Sequence, residues 1–139
     1  MGGVTIINDA YNANPASMAA ALEAIKNWPT SGRRAALLGD MLELGKSARA
    51  HHERLGREMA ACGMDAVVTV GELSRHVSAG ASQEGIDHAR HAKSIQEAAA
   101  WLAAWMRPGD VLLVKGSRAM AMERAVELLQ KQWQVAQAA

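Results

Sequence analysis

The sequence predicts an α/β fold, a three-layer sandwich in which a mostly parallel sheet is flanked by helices. Three observations predict it. Short apolar runs, Val4–Ile7, Ala35–Leu38, Ala66–Val70 and Val111–Val114, alternate with longer stretches whose apolar residues recur every three or four positions. The short runs are continuous rather than alternating with polar residues, as in strands covered on both faces. The connections between them are short, turn-rich and long enough only for crossover units.

The elements follow in order. Val4 to Ile7 is β-branched and suits a buried first strand. It runs into Asn8-Asp9-Ala10-Tyr11-Asn12-Ala13-Asn14-Pro15, where Asn14 caps a helix and Pro15 fills its first turn. Met18, Ala21, Leu22, Ile25 and Trp28 form one apolar face, and Pro29 to Gly32 ends that helix. Ala35 to Leu38 is a second strand. Met41 to Gly45 reads equally as a helical turn or a structured loop. Ser47 is a candidate cap for a helix through Leu55, Met59 and Cys62, closed by Gly63. Ala66 to Val70 is a third strand, followed by a short helix over Leu73–Ala81. Ile86 to Ala92 is polar and reads as a peripheral strand. Lys93-Ser94 opens a helix that turns Ile95, Ala98, Leu102 and Trp105 or Met106 inward. Arg107-Pro108-Gly109-Asp110 is a turn. A last strand over Val111–Val114 feeds a helix carrying Met122, Val126, Leu129 and Trp133. Gln134 to Ala139 reads as a fraying tail.

Composition bounds the function. The chain has 139 residues, the size of one ordinary domain, with no internal repeat or linker. A net charge of +1 gives no broad field for nucleic acid or acidic membrane. One cysteine, Cys62, excludes an intrachain disulfide and reads as a small core thiol. No apolar run reaches membrane-spanning length, and no signal-peptide layout opens the chain, so a cytoplasmic location is expected.

Chemistry is expected at the strand ends, where open α/β sheets bind ligands. Asp9 there can accept hydrogen bonds from a ribose, or hold its own backbone as an Asx turn. Tyr11 can stack on a base or pack on the sheet edge; Asn12 and Asn14 can bond a base edge, or Asn14 can merely cap. Asp40 and Glu43 can position an amine or bind Mg²⁺, or simply solvate a loop. Lys115 and Arg118 can clamp a carboxylate or phosphate with Ser117 and the following helix amides adding donors; the alternative is a serine cap beside two solvent-facing cations. There is no P-loop, and neither His51-His52 nor His88 and His91 has partners at metal spacing, so no zinc site is expected.

Four motifs in order, Asn8 to Pro15, Gly39-Asp40-Met41-Leu42-Glu43-Leu44-Gly45, His52 with Gly56, and Lys115-Gly116-Ser117-Arg118, resemble the C-terminal domain of the Mur ligase family. The resemblance spans essentially the whole chain. It is strongest to the branch that adds D-alanyl-D-alanine to a UDP-N-acetylmuramoyl-tripeptide in peptidoglycan synthesis. It implies a Rossmann-like fold, and a reaction in which ATP phosphorylates a carboxylate and the dipeptide amine attacks the acyl phosphate, with Mg²⁺ required. It implies that residues 1–139 form the last of three domains, the UDP-sugar domain and the central ATPase domain with its P-loop and catalytic residues being absent. The central domain is then the partner of this one in the same polypeptide. By resemblance Asp9 holds the ATP ribose, Tyr11, Asn12 and Asn14 line the adenine side, and Lys115, Ser117 and Arg118 receive the dipeptide. The chain departs from the family at Lys46 to His51, where members tend to be acidic, and this helix start reads as solvated surface. The fragment alone is expected to be inactive and to hold no cofactor tightly. The rival readings are a receiver-like signalling domain, disfavoured because Val70-Gly71 stands where its acceptor aspartate belongs, and a self-contained nucleotide-binding regulatory or structural module.

Overall fold

The computed structural model describes residues 3–138. Five strands, β1 (Thr5–Asp9), β2 (Arg34–Leu38), β3 (Ala66–Val70), β4 (His88–Ala92) and β5 (Val111–Lys115), form one sheet in the order β1-β5-β2-β3-β4. Every neighbouring pair is parallel. Between them run α1 (Pro15–Lys26), α2 (Ala48–Ala61), α3 (Arg75–Gln83) and α4 (Ile95–Trp105), and α5 (Glu123–Ala138) closes the chain.

The strand order follows from how the chain travels. It moves across the sheet from β1 to β4 with α1, α2 and α3 on one face. It then returns through α4 to insert β5 between β1 and β2. Right-handed crossovers put the returning helix on the opposite face. The period of two then splits each strand between two cores. Ala36, Leu38, Val67, Val111 and Leu113 meet Met18, Leu22, Ile25, Leu55 and Met59. Ala35, Leu37, Val68, Leu112 and Val114 meet Ala98, Leu102, Met122 and Leu129. Each large apolar side chain so buried contributes about 1.5–3 kcal/mol. Both faces are covered, hence the continuous apolar runs.

Local signals mostly act as expected. Asn14 caps α1 in a capping box: its side chain accepts from the Ser17 amide at 2.8 Å, and Ser17 Oγ accepts from the Asn14 amide at 2.9 Å. Ser94 caps α4, and Gly63 follows α2 with φ +76°. The polar β4 is one of the two edge strands, where charged residues discourage further pairing.

Five expectations are corrected. Ser47 makes no side-chain cap bond; it already has helical geometry at φ −88°, ψ 0°, ending a 3-10 turn over Gly45–Ser47. A cap residue needs an extended backbone. Trp28 lies beyond the end of α1 and is 38% exposed. Cys62 is only half-buried, with desolvation raising its thiol pKa. The last helix does not start at once after β5, because a 3-10 turn over Arg118–Met120 intervenes. The expected tail from Gln134 continues α5 to Ala138, with Ala139 outside the described residues. The basic stretch before His52 is surface as expected, with Lys46, Ser47, Arg49 and Ala50 exposed.

The turn before β5 is pinned by Asp110, which is buried. Its carboxylate accepts from the Arg33 amide and guanidinium at 2.8 Å each, and from the Arg107 amide at 2.8 Å. Burial alone would raise its pKa, but these donors together outweigh it and hold the carboxyl below its ordinary value. A folded-state pKa below the unfolded one means that the unfolded chain binds more protons at acid pH. The Asp110 contribution is therefore fully present above about pH 5 and is lost as pH falls through the folded value. Urea midpoints of the wild type and Asp110→Ala are expected to differ most near neutrality and to converge toward acid. A gap independent of pH would contradict this account.

Candidate functional site

β5 is the switch point of the sheet. The chain leaves β1 and β2 toward the α1–α2 face but leaves β5 toward α5 on the other, so a crevice opens at the carboxyl ends of these strands. Asp9 and Lys115 end β1 and β5 and stand opposite each other in register. Lys115 Nζ donates to Asp9 Oδ2 at 2.6 Å and to the Asn12 carbonyl at 2.9 Å. The lysine side chain is 2% exposed and the aspartate side chain 46%. Lys115 is thus a buried cation with two acceptors, which ties the end of β1 and its following loop to β5. Asp9 has one oxygen held by the lysine while the carboxylate reaches solvent.

The loop after β2 forms the neighbouring wall. Gly39 N donates to the Lys115 carbonyl at 2.8 Å, and Ser117 N donates to the Asp40 carbonyl at 3.0 Å. The buried Asp40 carboxylate accepts from the amides of Leu73 and Ser74 at 3.1 and 2.7 Å, anchoring the start of α3. Gly71 makes room for it, since a Cβ there would lie 2.5 Å from Asp40 Oδ1. His52 on α2 is fully buried, and its Nε2 accepts from Met41 N at 3.0 Å. The proton of the neutral ring then sits on Nδ1, which donates to the Ala48 carbonyl at 2.6 Å. Ser117 Oγ accepts from Leu42 N at 2.9 Å. Met41 to Leu44 is therefore a structured loop, held from three sides.

Between these walls lies a cleft of about 440 Å³. Tyr11, Asn12, Asn14, Ser117 and Arg118 all line it, joined by Glu43. The structure thus gathers five of the seven expected site residues on one surface, with Asp9 and Lys115 joined at its base through Asn12. It does not separate an adenine side from a dipeptide side. Tyr11 is 67% exposed rather than packed on the sheet edge. Neither alternative for the last motif holds as written: Lys115 does not face solvent, and Ser117 caps nothing but bonds Leu42 across the cleft. Arg118 alone of that motif presents its charge to the surface. The sequence did not show that Lys115 pairs with Asp9, because strand order and register join residues 106 positions apart. The His52 bond to Met41 was hidden for the same reason. Among the described residues no three His, Cys, Asp or Glu side chains converge on a metal. The Asp40 carboxylate is engaged by two backbone amides and one Asp9 oxygen by Lys115, which leaves Glu43 as the carboxylate lining the cleft, short of a Mg²⁺ site without phosphate or further ligands.

An all-parallel doubly wound sheet, with polar side chains gathered at the switch point, defines a Rossmann-like α/β domain. Comparison with known proteins narrows this. A family model described as Mur ligase, glutamate ligase domain, matches residues 1–118. The chain belongs to the Mur ligase family. It is 42% identical over 147 aligned residues to the UDP-N-acetylmuramoyl-tripeptide–D-alanyl-D-alanine ligase of Mycobacterium bovis, covering 91% of this chain and 29% of that protein. The Bacillus subtilis protein of the same name is 35% identical, covering 90% and 28%. Among solved structures, MurF ligase from Thermotoga maritima in complex with ADP superposes with a TM-score of 0.83 at 29% identity, over 96% of this chain and 30% of that one. The chain thus spans less than a third of the length of these relatives. The flavodoxin-like order 2-1-3-4-5 of receiver domains is absent.

Proposed function

We propose that this chain is the C-terminal domain of an ATP-dependent ligase that joins D-alanyl-D-alanine to a UDP-N-acetylmuramoyl-tripeptide through an acyl phosphate. The observation that carries the reading is the Asp9–Lys115 pair at the switch point. A half-exposed carboxylate with one oxygen fixed by a buried ammonium is a preset acceptor for the hydroxyls of a ribose. Tyr11, Asn12 and Asn14, on the loop that follows Asp9, would line the adenine. Arg118 offers a guanidinium to the carboxylate of the dipeptide. Lys115 and Ser117 act by position, the first fixing Asp9 and Asn12, the second fixing Leu42. ATP, when bound, supplies the phosphoryl group that activates the tripeptide carboxylate. The phosphate clamp, Mg²⁺ ligands and UDP-sugar site belong to the remainder of the polypeptide. A cytoplasmic setting fits this reading, and no helix among the described residues is long and apolar enough to cross a membrane.

Catalysis by positioning needs both reactants and the phosphate clamp together. The pure chain is therefore expected to release no phosphate from ATP in response to tripeptide and dipeptide. Grafted in place of the matching segment of the Bacillus subtilis relative, it is expected to support release that requires both. Dipeptide-dependent turnover by the chain alone, or a folded graft without turnover, would overturn the reading.

A further inference from the structure

Glu43 is set into the cleft under strain. Its φ is +64°, in the left-handed region that few residues other than glycine adopt without cost. The three residues before it are each tied by hydrogen bonds. Asp40 is bonded through its carbonyl to Ser117 and through its carboxylate to the start of α3. Met41 is bonded to His52, and Leu42 to Ser117 Oγ. Yet the Glu43 side chain gains nothing within the chain. It is exposed, and no ion pair or hydrogen bond engages it among the described residues. A strained backbone, pinned on one side and presenting an unpaired carboxylate to a cleft, is what an observed outlier at a ligand contact looks like.

The cleft holds a second exposed charge of opposite sign, Arg118, which is likewise in no ion pair among the described residues. Glu43 and Arg118 line the same space without meeting. Asp9 and Lys115, which do not line it, neutralise each other. The cleft therefore offers one anion and one cation held apart, with no excess of either. A polyphosphate would gain from Arg118 and be repelled by Glu43. A small molecule with a free ammonium at one end and a carboxylate at the other matches both.

We propose that Glu43 is the contact for the ammonium of a zwitterionic ligand whose carboxylate meets Arg118. The inference rests on the ligase reading and identifies how the amine end of the dipeptide is chosen and aimed. The contact is a binding one, with the ammonium released from Glu43 before it reacts.

The test is an amide NMR titration of the 139-residue chain with D-alanyl-D-alanine, with its N-acetyl form, which lacks the ammonium, and with ADP. Saturable shifts are expected at Leu42–Leu44 and Ser117–Ala119, with the N-acetyl form binding about fivefold more weakly, the upper range for one partly exposed ion contact. Glu43→Gln is expected to weaken the free dipeptide to the level of the N-acetyl form and leave the latter unchanged. Glu43→Gly, which keeps the backbone geometry without the carboxylate, is expected to behave alike. The proposal is overturned by equal binding of both dipeptides to the wild type, by equal losses for both in Glu43→Gln, by no saturable shift, or by ADP that shifts the same amides and binds tighter to Glu43→Gln. If the graft turns over but Glu43→Gln leaves its KM for the dipeptide unchanged, this inference fails and the ligase reading stands. If the graft is inactive while glycylglycine shows the same Glu43-dependent preference over its N-acetyl form, the ligase reading fails and the zwitterion site stands.

Discussion

Asp9→Ala is expected to destabilise the fold by about 3 kcal/mol, more than Lys115→Met does, although Lys115 is the buried member of the pair. The asymmetry follows from what each change leaves behind. Without Asp9, the buried Lys115 side chain keeps only the Asn12 carbonyl to receive its three ammonium protons. An uncompensated charge in such a place costs far more than the lost contact. Without Lys115, the remaining carboxylate is half-exposed and turns to water. The methionine fills the lysine stem's volume, and the principal loss is one donor to Asn12, about 1 kcal/mol. The double variant is therefore expected to be more stable than Asp9→Ala alone. Urea unfolding with an unchanged m-value checks all three. A double variant no better than Asp9→Ala would mean that the ammonium is not the source of the cost. The functional variants must be read against this ranking, since loss of activity in Asp9→Ala would otherwise be confused with loss of fold.

The same pair shows where sequence reading stops. The strands were legible because burial on both faces writes continuous apolar runs, and Ala66–Val70 has the same bounds in both descriptions. Asn14 was legible because a cap acts on residues three positions away. Lys115 was visible as a cation at a strand end, but not as a buried one. Its burial depends on β5 lying between β1 and β2, and no local pattern encodes that insertion. Ser47 failed for a related reason: a serine before a helix predicts a cap only if the chain arrives extended, and here it arrives already coiled. The role of Ser117 was not legible in the sequence because its hydroxyl bonds Leu42 across the cleft rather than a helix end. The family resemblance supplied roles for separate motifs. It did not supply the contacts by which Asp40, His52 and Ser117 join those motifs into one wall.

Those contacts bear on a site that touches no ligand. Gly56→Ala is expected to cost about 3 kcal/mol or more and to loosen the cleft from a distance. Gly56 lies one turn after His52 on α2, where α2 and α3 pack backbone to backbone. A Cβ there would lie 2.2 Å from the Val77 carbonyl oxygen and 2.8 Å from Ala81 N. Gly80 on α3 is the counterpart, its Cβ position 2.5 Å from the Glu53 carbonyl oxygen. Neither neighbour is a flexible side chain, so the two helices must part. Gly63→Ala makes the useful contrast. Nothing lies within 4 Å of its Cβ position, and its φ of +76° alone sets a cost, about 1–2 kcal/mol. Parting α2 from α3 moves His52, which holds Met41, relative to the start of α3, which holds Asp40. Two of the three anchors of the loop bearing Glu43 then shift while the Ser117 bond to Leu42 stays, whereas Gly63→Ala disturbs none. Amide shifts at Met41–Leu44 are expected to change in Gly56→Ala and to stay in place in Gly63→Ala at matched stability. Equal perturbation of the loop by both would show that it follows global stability rather than the packing of these two helices.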